Sequence, residues 1–172
     1  EGQARTHLVS IGGSPIESRR GTLDASGLRV AIITARFNKG VTNGLLQGAL
    51  EALAEHGARD EEVMTFSVPG AWELPQAATQ AVEAGRFDAV VTLGCVIRGE
   101  TPHFDYVCQE TSRGLGVVAR SSQIPVVFGV LTTDTLEQAK ARAGSGVENK
   151  GYESAMAAIE MVSVIREIRA EE

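Results

Sequence analysis

From residue 28 onward, apolar strand-like runs alternate with helix-period segments, and this predicts an α/β fold: a three-layer α/β/α sandwich around a four-stranded parallel sheet. Three observations carry that expectation. Four β-branched runs, at 28–35, 62–68, 89–95 and 125–131, are each followed by a segment of helical periodicity. The run 28–35 is nearly continuous in apolar residues, as a strand covered on both faces must be. Right-handed crossovers between parallel strands then place helices on both sides of the sheet.

Each element has its own signal. The run 28–35 (LRVAIITA) is the first strand. Residues 42–56 put Leu45, Leu46, Ala49, Leu50 and Leu53 on one helical face, with Gly57 placed to end the helix. The strand 62–68 stops at Pro69-Gly70, and a helix over 72–84 ends at Gly85. A third strand, 89–95, leads into a polar loop and a helix over 105–121. The strand 125–131 (PVVFGVL) follows, and Asp134 with Glu137 reads as a capping box for a helix to residue 143. A Gly-rich loop, 144–151, precedes a last helix to residue 167.

Length and composition bound the class. The 172 residues suit one domain, 27–172, preceded by a flexible N-terminal arm, 1–26. With 43% hydrophobic and 22% charged residues the chain is globular. A net charge of −6 with no basic stripe argues against a nucleic-acid partner. No apolar run approaches the roughly 18–20 residues of a membrane span. Cys95 and Cys108, in a strand and a helix, form no disulfide framework and point to a cytoplasmic protein with reduced thiols. The chain starts at Glu1, and the arm lacks the apolar core of a secretory signal; a remnant of a plastid transit segment is the other reading. Within the arm, the patch Leu8, Val9, Ser10, Ile11 could add a strand to a neighbouring sheet, and residues 21–26 are free to run extended onto a neighbour.

In parallel sheets ligands bind beyond the carboxyl ends of the strands, so four strand ends define the candidate site. The third is the most informative: Arg98, Gly99, Glu100, Thr101 and His103 combine backbone freedom, a hydroxyl and an imidazole at a helix start, which suits an anion and proton transfer. Phe37, beside Asn38, either stacks on a planar ring or folds back as a core lid. Glu73, in the first turn after Pro69-Gly70, is either a dipole partner or an acceptor for ligand hydroxyls. The fourth end spans 128–133. His56 reads as a helix cap, and no histidine pair has zinc spacing, so no metal is expected. The 144–151 loop lacks the features of a triphosphate-binding loop. Arg142 and Lys150 beside it either bind an anion or carry ordinary surface charge.

Arg36-Phe37-Asn38, VPGAWELP (68–75), LGCVIRGETPHFDYV (93–107), PVVFGVLTT (125–133), Gln138, RAG (142–144) and NKG (149–151) stand in the order and spacing of another group of enzymes. From about residue 28 to 169 the chain resembles the 6,7-dimethyl-8-ribityllumazine synthase family. The resemblance implies a flavodoxin-like form of the sandwich and a condensation of 5-amino-6-(D-ribitylamino)uracil with 3,4-dihydroxy-2-butanone 4-phosphate, without cofactor or metal. It implies that Phe37 stacks on the pyrimidine, that Ala71, Trp72 and Glu73 line the ribityl chain with Asn38, and that Cys95, Val96 and Ile97 lie along the pyrimidine. Glu100, Thr101 and Arg142 would hold the phosphate, His103 would transfer protons, and Phe128, Arg142 and Lys150 would come from a neighbouring subunit. Two positions depart from the common pattern: Glu100-Thr101-Pro102 stands where Ala-Thr-Thr is frequent, and Trp72 replaces a smaller aromatic. Family members form pentamers, some build 60-subunit shells, and riboflavin synthase is a partner of some. The alternatives are the archaeal type of riboflavin synthase, which shares the fold, and a structural or engineered cage.

Overall fold

The computed structural model describes residues 9–12, 14–16 and 18–170. Two short strands, β1 (Val9–Ile11) and β2 (Ser14–Ile16), pair antiparallel. The main chain then runs β3 (Val30–Ala35), α1 (Lys39–Glu55), β4 (Val63–Val68), α2 (Leu74–Glu83), β5 (Ala89–Ile97), α3 (His103–Ser121), β6 (Val126–Thr133), α4 (Leu136–Ala141) and α5 (Lys150–Ala170). The main sheet has the order β4-β3-β5-β6 and is parallel throughout.

Two apolar cores cover its faces. Val30, Ile32, Val91, Leu93 and Cys95 pack under α1 and α5 with Leu45, Leu53, Ala155 and Ile159. Ala31, Ile33, Val90 and Val130 pack under α2 and α3 with Leu74, Ala78 and Leu115. The alternation of neighbouring strand residues between these cores explains why β3 and β5 read as nearly unbroken apolar runs, whereas β4, at the sheet edge, is half-buried or exposed. Each large aliphatic side chain so buried contributes about 1.5–3 kcal/mol. This is the expected three-layer sandwich. Among the described residues no helix is long and apolar enough to cross a membrane.

Several boundaries and one arm expectation differ from the sequence reading. β5 runs two residues further than expected and α3 begins two residues earlier, which leaves a short loop between them. The capping box before α4 uses Thr135 and Gln138, not Asp134 and Glu137: the Gln138 N–H donates to Thr135 Oγ1 at 3.2 Å, and Gln138 Oε1 accepts from the Thr135 N–H. Asp134 is occupied elsewhere, by Arg98. Within the arm, Val9–Ile11 pairs with Ser14–Ile16; Leu8 lies outside the described residues. Residues 21–25 dock on their own chain: the Thr22 N–H donates to Ser163 Oγ at 3.0 Å, the Ala25 N–H donates to the His56 carbonyl at 2.8 Å, and Ala25 is fully buried.

The seam between α1 and α5 is built from small residues. A Cβ on Gly151 would fall onto the Leu45 carbonyl, and one on Gly48 onto the Asn149 side chain. Asn149, 3% exposed, fills the space these glycines leave: its Nδ2 donates to the Gly44 carbonyl (2.9 Å) and the Gly144 carbonyl (2.6 Å), and its Oδ1 accepts from the Gly151 N–H at 2.7 Å. One side chain thus ties α1, the α4–α5 loop and the start of α5. Gly151→Ala is therefore expected to lower stability by about 1–3 kcal/mol, the usual cost of overpacking. A urea midpoint equal to the parent's would show that the seam has slack.

Candidate active site

The strand ends are held in line by main-chain bonds that continue past the strands. The Arg36 N–H donates to the Val68 carbonyl at 2.8 Å and the Phe37 N–H to the Pro69 carbonyl at 3.1 Å. The Arg98 N–H donates to the Thr133 carbonyl at 2.9 Å. Between them, Asn38 Nδ2 donates to the Cys95 carbonyl at 2.8 Å and so ties the end of β3 to β5. Asn38 is left-handed (φ 59°, ψ 45°), the one positive-φ residue other than glycine among those described. Asparagine tolerates this conformation better than most residues. The resulting reversal starts α1 and leaves Phe37 72% exposed at the rim, which removes the core-lid reading.

At the end of β4 the chain turns through Pro69 and Gly70 into a single 3₁₀ turn, Ala71–Glu73. Glu73 Oε2 accepts from the Gly70 N–H at 2.8 Å. Its two readings from sequence are compatible, since the carboxylate closes the turn and also lines the cleft. Ala71 is buried and Trp72 is more than half exposed beside it.

Cys95 is buried at the end of β5, and Val96 and Ile97 are half-buried strand residues. Burial pushes the Cys95 thiol up to about 11, so it stays neutral and poorly nucleophilic near pH 7. The loop 98–102 then leads to α3, whose start carries no side-chain cap. In its first turn the Asp105 N–H donates to the Pro102 carbonyl at 3.0 Å, and no side chain competes with an anion for the N–H groups before it.

These elements enclose a cleft of about 900 Å³ lined by Phe37, Ala71, Trp72, Glu73, Cys95, Val96, Ile97, Thr101 and His103. It is mostly apolar with a few polar groups, the usual make-up of a small-molecule site. Gly99 also lines it, as do Phe104, Tyr106 and Val107, to which the sequence pattern gave no role. The signal was present: once α3 begins at His103, residues 103, 106 and 107 share a helical face. A groove of about 420 Å³ between α1 and β4, lined by Leu50, Leu53, Arg59 and Val63, holds none of the expected site residues.

The remaining candidates are not in the cleft of this chain. Asn38 braces its floor from outside the lining, and Glu100 lies in the loop between two lining residues. Phe128 pairs with Thr92 in the body of β6, so the fourth strand end lies at Thr133, not at Phe128. Arg142 and Lys150 meet at Glu153, with Arg142 Nη2 at 3.2 Å and Lys150 Nζ at 2.8 Å from its carboxylate oxygens. The hydrogen bond from Lys150 holds the Glu153 carboxyl below the usual range, and the charges of Lys150 and Arg142 add to it against the opposing effect of burial.

Comparison with known proteins agrees with the motifs. The family model described as 6,7-dimethyl-8-ribityllumazine synthase matches residues 27–166. A protein of Desulfatibacillum aliphaticivorans named 6,7-dimethyl-8-ribityllumazine synthase is 52% identical over 149 residues, covering 87% of this chain and 96% of its own length.

Proposed function

Because the chain belongs to the 6,7-dimethyl-8-ribityllumazine synthase family, we propose that the strand-end cleft is where its two substrates meet. The activity is that of a transferase of riboflavin biosynthesis, joining 5-amino-6-(D-ribitylamino)uracil to 3,4-dihydroxy-2-butanone 4-phosphate. The observation that carries the site assignment is the gathering of Phe37, Glu73, Ile97, Thr101 and His103 around one cleft from three strand ends. Phe37 stacks on the pyrimidine, Trp72 and Glu73 border the ribityl chain, and Asn38 holds that side in place. Cys95, Val96 and Ile97 form the wall along the ring. Glu100 and Thr101 present main-chain donors and a hydroxyl to the phosphate.

The chemistry asks for little beyond placement and proton movement. The amine of the uracil condenses with the ketone and releases water, phosphate leaves, and the second nitrogen closes the ring with loss of a further water. His103 gives and takes protons in these steps. Holding both reactants in register supplies about 7–11 kcal/mol of the barrier. That suits a cleft with a neutral thiol and no activated nucleophile among its lining side chains.

Phe128, Arg142 and Lys150 reach a cleft only if a neighbouring subunit provides them, and Phe128 and Arg142 are exposed. This favours the family's pentamer, with sites between subunits. The short 145–148 connection favours the 60-subunit shell over the free ring. We place the enzyme in the cytoplasm, with riboflavin synthase as a partner that consumes the product.

Mixing both substrates with purified protein should produce the fluorescence of the lumazine. His103→Ala is expected to slow that reaction by about 10²–10⁴-fold without abolishing it; a rate equal to the parent's would end the proton-transfer role. Phe37→Ala should weaken binding of the ribitylaminouracil by about 1–3 kcal/mol in calorimetry, the range for stacking on an aromatic ring. Unchanged affinity would remove the stacking role. Electron microscopy should show closed shells at neutral pH. Free rings would sink the shell, and monomers would sink the shared site.

A further inference from the structure

Arg98 is the most heavily engaged side chain beside the cleft, and it does not itself line the cavity. Its Nε donates to Asp134 Oδ1 at 2.8 Å, beyond the end of β6. Its Nη1 donates to Asp105 Oδ1 at 3.3 Å, in the first turn of α3. The guanidinium carbon stands 4.3 Å from the centroid of the Phe104 ring. Its own N–H closes the last main-chain bond to the Thr133 carbonyl at 2.9 Å. A single residue therefore fixes where the loop leaves β5, where it enters α3, and how both stand relative to β6.

Between those anchors lie Gly99, Glu100, Thr101, Pro102 and His103. Thr101 and His103 are exposed, and no side chain caps the start of α3. The segment is thus held from its two ends. We propose that Arg98 is a positioning residue for the condensation, setting the loop that presents Thr101 and His103 to the phosphorylated substrate. This rests on the reading of the cleft as the site and of those two residues as parts of it.

The same geometry separates positioning from folding. Arg98, Asp105 and Asp134 are all about half exposed, at 46%, 51% and 66% of their side-chain surface, and exposed pairs of this kind add little to stability. A displacement of about 1 Å in a reacting group, however, can cost on the order of 100-fold in rate. Of the groups expected to hold the uracil, Phe37 follows β3 and Trp72 and Glu73 follow β4, while Cys95, Val96 and Ile97 lie within β5, ahead of the loop and fixed by their pairing with β6. Loss of Arg98 should therefore fall on one substrate and not on the other.

The test is steady-state kinetics of Arg98→Met and Arg98→Lys, each in the parent and in His103→Ala. Arg98→Met keeps an unbranched apolar stem over Phe104 and removes both ion pairs. It is expected to lower kcat by about 10- to 100-fold and to raise KM for the butanone phosphate, with KM for the ribitylaminouracil unchanged. Arg98→Lys, which can hold one aspartate but not both in fork geometry, should restore part of the loss. In the His103→Ala background Arg98→Met should cost little further kcat, because the group it positions is gone. Parent values for kcat and for KM of the butanone phosphate would overturn the inference, as would an equal rise in both KM values. If His103→Ala itself runs at the parent rate, the proton-transfer reading fails, and KM for the butanone phosphate alone decides for or against Arg98. Should Arg98→Met not assemble, Asp134→Asn cuts the main anchor from outside the loop and must give the same one-sided KM change.

Discussion

The parallel pairing of β5 with both β3 and β6 is the constraint on which the rest of the molecule depends. Parallel strands cannot be joined by tight turns, so each connection has to cross a face of the sheet, and here each crossing is made by helix. Those helices bury both faces, which is why the central strands are apolar apart from Thr34 and Thr92. The same arrangement sends every strand end to one rim. The polar loops have no other place to go, and the cleft forms where β3, β4 and β5 release Phe37, the 69–73 turn and the 98–103 loop.

At that rim, placement is enforced by bonds to the main chain more than by charge. Asn38 reaches the Cys95 carbonyl, Glu73 takes the Gly70 N–H, and the ladder continues through Arg36, Phe37 and Arg98. Main-chain groups of this kind cannot change rotamer, so the geometry they impose is stiff. Ion pairs near the cleft are exposed and individually weak, worth roughly 0–1 kcal/mol in stability. Their value lies in direction. The left-handed Asn38 shows the cost accepted at such a site, because most residues avoid that conformation.

The opposite face of the sheet carries a second linkage. Gly44, Gly48 and Gly151 let α1, the α4–α5 loop and α5 approach closely, and Asn149 fills the space with hydrogen bonds to three segments. Arg142, Lys150 and Glu153 stand on that same loop and helix start. A cation pair remote from the cleft of its own chain is thereby fixed relative to the sheet.

The sequence by itself determined the fold class, the order of elements, and most of the cleft. Apolar periodicity reports burial, and parallel strands buried on both faces leave an unbroken signature that needs no knowledge of their neighbours. Motifs at strand ends marked Phe37, Glu73, Thr101 and His103 because polar residues that abruptly follow such strands stand out. Tertiary structure decided what depends on a partner distant in the chain. Whether Phe37 faced out or in turned on the bend at Asn38, and that bend is braced by a carbonyl 57 residues away. The cap of α4 stands at Thr135, and Asp134 is held instead by Arg98 from 36 residues away. Tyr106 and Val107 joined the cleft because α3 began at His103, earlier than its apolar pattern does. Phe128, Arg142 and Lys150 stand outside it, because Phe128 lies in the body of β6 and the two cations meet at Glu153.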